Sequence, residues 1–404
     1  MPLEPDGTVL AGTISAQEAA RRLGVKPATL YTYVSRGWIE SLPGTSARSR
    51  RYRVLDVEAL RTRTGATKGH AAVASGAMGW GQPVVDTAIS AIDERGPIYR
   101  GVPAASLLSD GLEAACGVLW APGAEADAWC APLDFAPAPG PEDAAPIARL
   151  TAFVALDGLR EPWSAAFTGA ALSIQAAHLI RRCAAALGPP IPPRGTVAAV
   201  LCRAMGVPEA EPDVDAALVW CADHELNAST FAARVAASTG AGLHAVVGAG
   251  LGALAGPRHG ALSACVEHLL DDLDDLDGPL AERAMRVVAR SPALPGFGHP
   301  LYPQGDPRAH DLMHRAGLRG GQGWARVQAI ADAAARQGHP PPNLDFGLVA
   351  LRHAWGLPKW APSTLFAVGR MAGWVAHLHE ERARGQLIRP RARYIGPPLG
   401  LSSS

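Results

Sequence analysis

An aspartate downstream of three histidines is the part of this chain best equipped for chemistry. The phrases are Asp223-His224-Glu225-Leu226-Asn227, Gly256-Pro257-Arg258-His259-Gly260, Gly296-Phe297-Gly298-His299 and Asn343-Leu344-Asp345. One carboxylate set among imidazoles in Gly-rich turns suits removal of a proton beside a carbonyl. The carboxylate takes the proton, and the imidazoles hold the negative charge that gathers on oxygen.

Helices must position these groups. Apolar residues recur at helical spacing over Ala104–Leu119, Ile147–Leu156, Ala165–Leu187, Gly195–Met205, Val214–Cys221, Ser229–Ser238 and Gly242–Leu254, with Pro-rich breaks at 131–146, 188–193 and 339–342. A body of about twenty helices is expected from that pattern. Strand signals are sparse, the clearest being alternation around Gly96-Pro97, which predicts a small hairpin. The stretch Ala241–Gly256 is rich in Gly and Ala, so its backbone can approach a neighbour closely in a deep core or a subunit seam. It runs straight into Pro257-Arg258-His259-Gly260, which puts His259 at a helix junction.

The bulk composition sets outer limits. With 404 residues, 48% of them apolar and 18% charged, the chain can bury a large core in two or three domains. Net charge is zero, but the first 66 residues carry ten Lys/Arg against six Asp/Glu, which leaves a mildly acidic remainder. Arginine outnumbers lysine 34 to 3, a genomic bias that does not by itself indicate nucleic-acid binding. The six cysteines lack CxxC spacing, which fits reduced thiols and a cytoplasmic setting. The most apolar stretch is shorter than the ~20 residues of a membrane span, and no secretory leader is expected. The acidic run Asp271–Asp277 lacks the Gly and terminal Glu of a calcium loop. His310/His314 and His377/His379 lack a third ligand, so no metal site is expected.

The N-terminal segment reads differently. Ser15 and Glu18 have capping-box spacing, Gly24 closes a first short helix, and Pro27 and Gly37 bracket a second. Ala19, Ala20, Leu23, Val25, Leu30 and Val34 form one seam, a basic hairpin follows at Ser46–Arg53, and Asp56–Arg63 predicts a third helix. This stretch resembles the winged helix-turn-helix head of the MerR/excisionase type. That resemblance implies duplex DNA as a partner, with Lys26, Ala28, Thr29, Thr32 and Tyr33 toward the groove and Arg48, Arg50, Arg51 and Arg53 toward phosphates. The organisation expected is a head at 1–66, a linker at 67–78 and a main body at 79–404.

The histidine and aspartate phrases, in this order, with His-Glu-Leu-Asn-Ala-Ser-Thr-Phe and Phe-Ala-Val-Gly-Arg, resemble the citrate synthase family throughout the body. The resemblance implies a mainly α fold with a large and a small helical subdomain, the small one at approximately 262–360. It implies Asp345 as the base, His259 as donor to a thioester enol oxygen and His299 as the group polarising the oxaloacetate ketone. It further implies His224, Arg308, Arg370 and Arg389 as the oxaloacetate clamp, Arg389 reaching across a homodimer. Arginine suits such a clamp because its planar fork pairs bidentately with carboxylate. Acetyl-CoA would be the co-substrate, with no bound cofactor.

Some positions depart from the family pattern. Cys221 stands where many relatives have histidine, Pro300-Leu301 replaces Arg-Val, and Phe346-Gly347-Leu348 follows the aspartate. None of these removes a proposed catalytic group. The rival readings are a 2-methylcitrate synthase that uses propionyl-CoA, and a DNA-binding regulator whose synthase-like body senses CoA esters or oxaloacetate.

Overall fold

The computed structural model describes residues 13–23, 25–35, 39, 41–44, 49–53, 57, 85–120, 123–124, 126–134, 137–141, 144–161, 165–190, 192–257, 259–260, 262–291 and 294–390. The chain divides into two compact units, Met1–Asp86 with Arg389–Ser404, and Thr87–Ile388.

In the first unit, strands β1 (Thr13–Ser15), β2 (Ser41–Pro43) and β3 (Arg50–Arg53) form an antiparallel sheet in the order β1-β3-β2. Thr13 faces Arg53, and Ser41 faces Tyr52. Helices α1 (Ala16–Leu23) and α2 (Pro27–Ser35) pack Ala19, Ala20, Leu23 and Leu30 against Tyr52 and Val57. Only half of the expected capping box forms. The Glu18 amide donates to Ser15 Oγ at 3.3 Å, but the Glu18 carboxylate turns to Arg21 and Arg22. Two nearby guanidinium groups attract it more strongly than one backbone N–H does. Arg51 also departs from expectation. Its Nε donates to Thr13 Oγ1 at 2.9 Å and its Nη2 to the Thr13 carbonyl at 2.7 Å, so it ties β3 to β1. Lys26, Thr32 and Arg50 are exposed, whereas Thr29 and Tyr33 are half-buried. Gly24, Gly37, Arg48, the third helix apart from Val57, and the linker lie outside the described residues.

The second unit opens with the expected hairpin, β4 (Ser90–Asp93) against β5 (Gly96–Tyr99), extended by β6 (Val102–Pro103). Gly96 has φ +117°, a conformation that L side chains rarely adopt, so it can follow the Glu94-Arg95 turn. Helices then dominate. The predicted helix at 104–119 is broken into a 3₁₀ turn and α3 (Gly111–Leu119), because Gly111 takes φ +83°. There follow α4 (Ala126–Cys130), α5 (Pro146–Gly158), α6 (Gly169–Ala185), α7 (Val197–Met205), α8 (Glu211–Cys221), α9 (Ala228–Ser238) and α10 (Leu243–Leu254). Next come α11 (Leu262–Asp271), α12 (Leu280–Ala289), α13 (Pro307–Arg319), α14 (Gly321–Arg336), α15 (Leu344–Trp355) and α16 (Ala361–Arg384). Fewer helices than the expected twenty or so are present among the described residues of this body.

Two hydrophobic cores organise these helices. The larger gathers side chains from β5, α3 to α10 and α16, including Trp120, Leu218, Leu251 and Trp374. The smaller gathers α11, α12, α14 and one face of α15, including Val266, Val287, Ile330 and Phe346. Helix α15 serves both, sending Leu344, Leu348 and Leu351 to the first core and Phe346, Val349 and Ala350 to the second.

Close backbone approach explains several glycines. A Cβ on Gly250 of α10 would come within 2.6 Å of the Trp374 ring, so this small-residue helix lies against α16. A Cβ on Gly369 would come within 2.7 Å of the Leu218 carbonyl oxygen and 2.8 Å of the Cys221 Cβ. The Gly373 amide donates to the Ala222 carbonyl at 2.9 Å. The Gly369-Arg370-Met371-Ala372-Gly373 phrase thus brings α16 against α8.

Among the described residues no helix is long and apolar enough to cross a membrane. Nor does any group of three or more His, Cys, Asp and Glu form a metal site among them. All six cysteines are free thiols.

Candidate active site

Helix ends and tight turns place the reactive groups. Asn343 caps α15: its Oδ1 accepts the Asp345 amide at 3.1 Å, which fixes Asp345 in the first turn of that helix. The Asn343 Nδ2 donates to the Gly298 carbonyl at 3.1 Å, and its amide donates to Gly296 at 2.8 Å. One residue therefore ties the Asp345 helix to the turn that carries His299. Gly296 and Gly298 have φ of +83° and +76°, which explains the glycines flanking Phe297.

His299 has a defined tautomer. Its Nδ1 accepts the Leu301 amide at 3.2 Å, so the proton resides on Nε2 and that nitrogen is a donor. His224 bonds the Tyr302 hydroxyl through Nε2 at 2.9 Å, and its ring meets His299 edge-on with centroids 5.3 Å apart. His259 Nε2 lies 2.8 Å from Ser229 Oγ, whose hydrogen can also go to Asn227 Oδ1 at 2.9 Å. Ser263 Oγ donates to Asp345 Oδ1 at 2.7 Å.

These contacts close a circuit. The His224 segment reaches His259 through Ser229, and the His259 segment reaches Asp345 through Ser263. From there the Asp345 segment reaches His299 through Asn343 and Gly298, and the His299 turn returns to His224 through Tyr302. Three histidines and one aspartate from four separate stretches are thereby brought together.

The electrostatics suit donors and a base. Burial, reinforced by Arg308 and Arg370, holds the His224 imidazole far below its ordinary pKa. Burial, with Arg370 nearby, brings His259 down to about 4, and burial with Arg308 lowers His299. All three are neutral at pH 7 and can act only as neutral donors or acceptors. Burial pushes the Asp345 carboxyl up, partly offset by the Ser263 hydroxyl and by Arg308.

The arginines fall into three situations. Arg370 is fully buried, donates through Nε to the Cys221 carbonyl at 2.7 Å, and lies 4.8 Å from the Phe366 ring centroid. Its Nη1 has no hydrogen-bond partner among the described residues. A buried guanidinium N–H without a protein partner is free to donate to an anion. Arg308 is already held in a fork by Asp306, with Nε to Oδ1 at 2.9 Å and Nη2 to Oδ2 at 2.8 Å. Arg389 is exposed and belongs to the other compact unit.

Sequence reasoning did not single out Ser229, Ser263, Tyr302, Asp306 or Phe366. Ser229 and Phe366 lay inside phrases quoted for the family resemblance without a role of their own, Ser263 lies four residues after His259, and Asp306 two before Arg308. Asp223 was quoted without a role. It is wholly buried, accepts from the Ser90 hydroxyl, and lies 3.5 Å from His377 Nε2. Burial opposes its charge, but His377 and Arg370 outweigh that and keep it ionised beside the His224 turn. A separate crevice of about 700 Å³ lies between α13 and α14, lined by Met313, Trp324, Pro341 and Pro342, and none of the three histidines lines it.

With this geometry in view, known proteins supply the family. The family model described as "Citrate synthase, C-terminal domain" matches residues 77–391. The chain belongs to the citrate synthase family. It is 34% identical over 187 residues to citrate synthase 2 of Bacillus subtilis (strain 168), a match covering 45% of this chain and 50% of that protein. It is 38% identical over 187 residues to the citrate synthase of Haloferax volcanii, covering 45% and 49%. It is likewise 34% identical over 188 residues to a 2-methylcitrate synthase of Shewanella oneidensis, covering 45% and 50%. The chain spans about half the length of the curated relatives it matches. Among solved structures it is similar to citrate synthase from Thermotoga maritima MSB8, with a TM-score of 0.64 and 23% identity over 79% of this chain and 95% of that one. A ternary complex of citrate synthase from Thermoplasma acidophilum with carboxymethyl coenzyme A and oxaloacetate matches with a TM-score of 0.65 and 21% identity, at the same coverage. These likenesses establish the mainly helical citrate synthase fold.

Proposed function

We infer that the second unit catalyses condensation of a short acyl-CoA with a 2-oxo dicarboxylic acid, acetyl-CoA and oxaloacetate being the leading pair. The closed circuit that joins Asp345 to His224, His259 and His299 supports this reading most directly. Asp345 removes a proton from the acyl carbon next to the thioester carbonyl. His259 donates to the enol oxygen that results. This requires the Ser229 hydroxyl to donate to Nε2, leaving the proton on Nδ1. His299 donates from Nε2 to the ketone oxygen of the acceptor. The enol carbon attacks that ketone carbon to form the new C–C bond, and water then cleaves the thioester to release CoA. The unmatched Nη1 of Arg370 receives an acceptor carboxylate, as bidentate guanidinium chemistry favours. The reading includes a homodimer in which Arg389 serves the neighbouring site.

The relatives include both citrate and 2-methylcitrate synthases. A methylene difference in an apolar pocket discriminates by only ~1–3 kcal/mol, so the acyl group must be measured. Nothing described favours the DNA-binding regulator. Arg51 is committed to Thr13, Arg48 lies outside the described residues, and the family match begins at residue 77.

The test is steady-state CoA release with acetyl-CoA and propionyl-CoA against a panel of 2-oxo acids. It is paired with exchange of acyl α-protons into deuterated solvent. Asp345→Asn keeps the shape and removes the base, so exchange should fall by ~10²-fold or more. Wild-type protein without turnover on any pair, or undiminished exchange in the variant, contradicts the reading.

A further inference from the structure

We propose that Tyr302 is a positioning residue that fixes the tautomer of His224, making that imidazole a hydrogen-bond donor toward the anionic acceptor. The proposal rests on the reading of the site given above and adds a residue to it.

Tyr302 lies where three elements of the site meet. Its hydroxyl is 2.9 Å from His224 Nε2, its ring centroid is 5.0 Å from that of His299, and the Arg308 guanidinium carbon sits 5.3 Å from the ring centroid. The side chain is 3% exposed. The backbone holds it rigidly to His299, since the Tyr302 amide donates to the His299 carbonyl at 3.0 Å across a tight turn flanked by Pro300 and Pro303. His224, by contrast, follows α8 of the larger core. The phenol therefore supplies the hydrogen bond through which the His299 turn addresses His224, alongside the direct contact of the two imidazole rings.

The direction of that hydrogen bond decides what His224 can do. A phenol is a good donor, and a neutral imidazole presents one good acceptor lone pair. Burial pushes the Tyr302 hydroxyl up to about 12, so it retains its proton at any working pH. With the hydroxyl donating to Nε2, the imidazole proton must sit on Nδ1. Nδ1 has no hydrogen-bond partner among the described residues, which leaves its N–H for a ligand. The opposite tautomer would turn a lone pair toward a carboxylate and repel it. A neutral histidine beside two arginines is thus made into a third donor without adding a buried charge. His299 is fixed in the complementary way by the Leu301 amide, so a single turn sets both rings.

The decisive variant is Tyr302→Phe, which keeps the ring and removes only the hydroxyl. Two readouts are needed: ¹⁵N NMR of histidine-labelled full-length protein, with the His224 signals assigned through His224→Gln, and calorimetric titration with oxaloacetate. Wild type should show Nδ1 protonated and Nε2 as an acceptor. In Tyr302→Phe this tautomer should be lost or mixed, and oxaloacetate affinity should fall by about tenfold to a hundredfold, the weight of one hydrogen bond to a charged group. The KM for the acceptor should rise by a similar factor while kcat changes less, since base and enol donor are untouched. A wild-type His224 protonated on Nε2, or a variant with unaltered tautomer, overturns the proposal. So does a variant whose tautomer changes without loss of affinity. If the tautomer is as stated and changes in the variant but wild-type protein does not bind oxaloacetate, the condensation reading falls. In that case the hold of Tyr302 on His224 stands.

Discussion

Asp345 illustrates how its surroundings tune a buried carboxyl. Burial favours its neutral form, and the Ser263 hydroxyl and Arg308 restore part of its acidity. As the proposed base it would work only when ionised, so its raised pKa should appear as the acid limb of the turnover profile. The three imidazoles are shifted the other way, below their ordinary value, chiefly by burial. Ser263→Ala removes a contact that favours the carboxylate, so the limb should move to higher pH. Turnover on its slope should fall by about tenfold, in keeping with ~1.5–3 kcal/mol for a hydrogen bond to a charged group. A pH profile of kcat from pH 4 to 8 checks this, and an unmoved limb would mean that another group sets it. The linkage sign follows from the same shift. Because the folded protein holds this proton more tightly than the unfolded chain, ionising Asp345 weakens folding as pH rises through its raised pKa. Catalytic readiness here works against stability. The histidines, the aspartate, Arg308 and Arg370 were legible in the sequence because they sit in phrases with family order. The hydroxyls that orient them were not, because the parts played by Ser229, Ser263 and Tyr302 arise only through contacts between distant segments.

At the scale of elements, α16 carries the heaviest constraint. Its glycines at 369 and 373 allow it to lie against α8, and this brings Arg370 Nε to the Cys221 carbonyl. Gly369→Ala would drive a methyl into Leu218 and Cys221, so a loss of about 1–3 kcal/mol is expected from overpacking. Separation of the helices should also weaken acceptor binding. Urea unfolding alongside acceptor titration checks both effects. An unchanged unfolding midpoint would show that α16 can shift at little cost. Helical periodicity located most of these elements to within a few residues, as with α5, α7, α9 and α10. It failed at 104–119, where the positive φ of Gly111 is a backbone demand that hydrophobic spacing cannot register. The close approach of Gly250 to Trp374 was expected in kind from the small residues of 241–256. The identity of the partner helix could only come from the fold.

For the whole molecule, Arg389 is grouped with the first compact unit, and the other proposed clamp residues with the second. If Arg389 completes the site of a neighbouring subunit, Arg389→Ala and Asp345→Ala proteins are each inactive alone but complementary when mixed. A heterodimer then contains one intact site, so up to about a quarter of wild-type activity should return if half the dimers are mixed and each holds one of two sites. Mass spectrometry of intact dimers confirms subunit exchange, and the absence of regained activity after exchange would mean that each site is built from one chain.

The double allegiance of α15 has a mechanical consequence. A helix whose opposite faces are embedded in two separate cores couples them, because neither core can shift without disturbing the packing of the other. Asp345 stands at the first turn of this helix, so its carboxylate is anchored to both cores at once. A substitution that loosens either core should therefore be felt at Asp345.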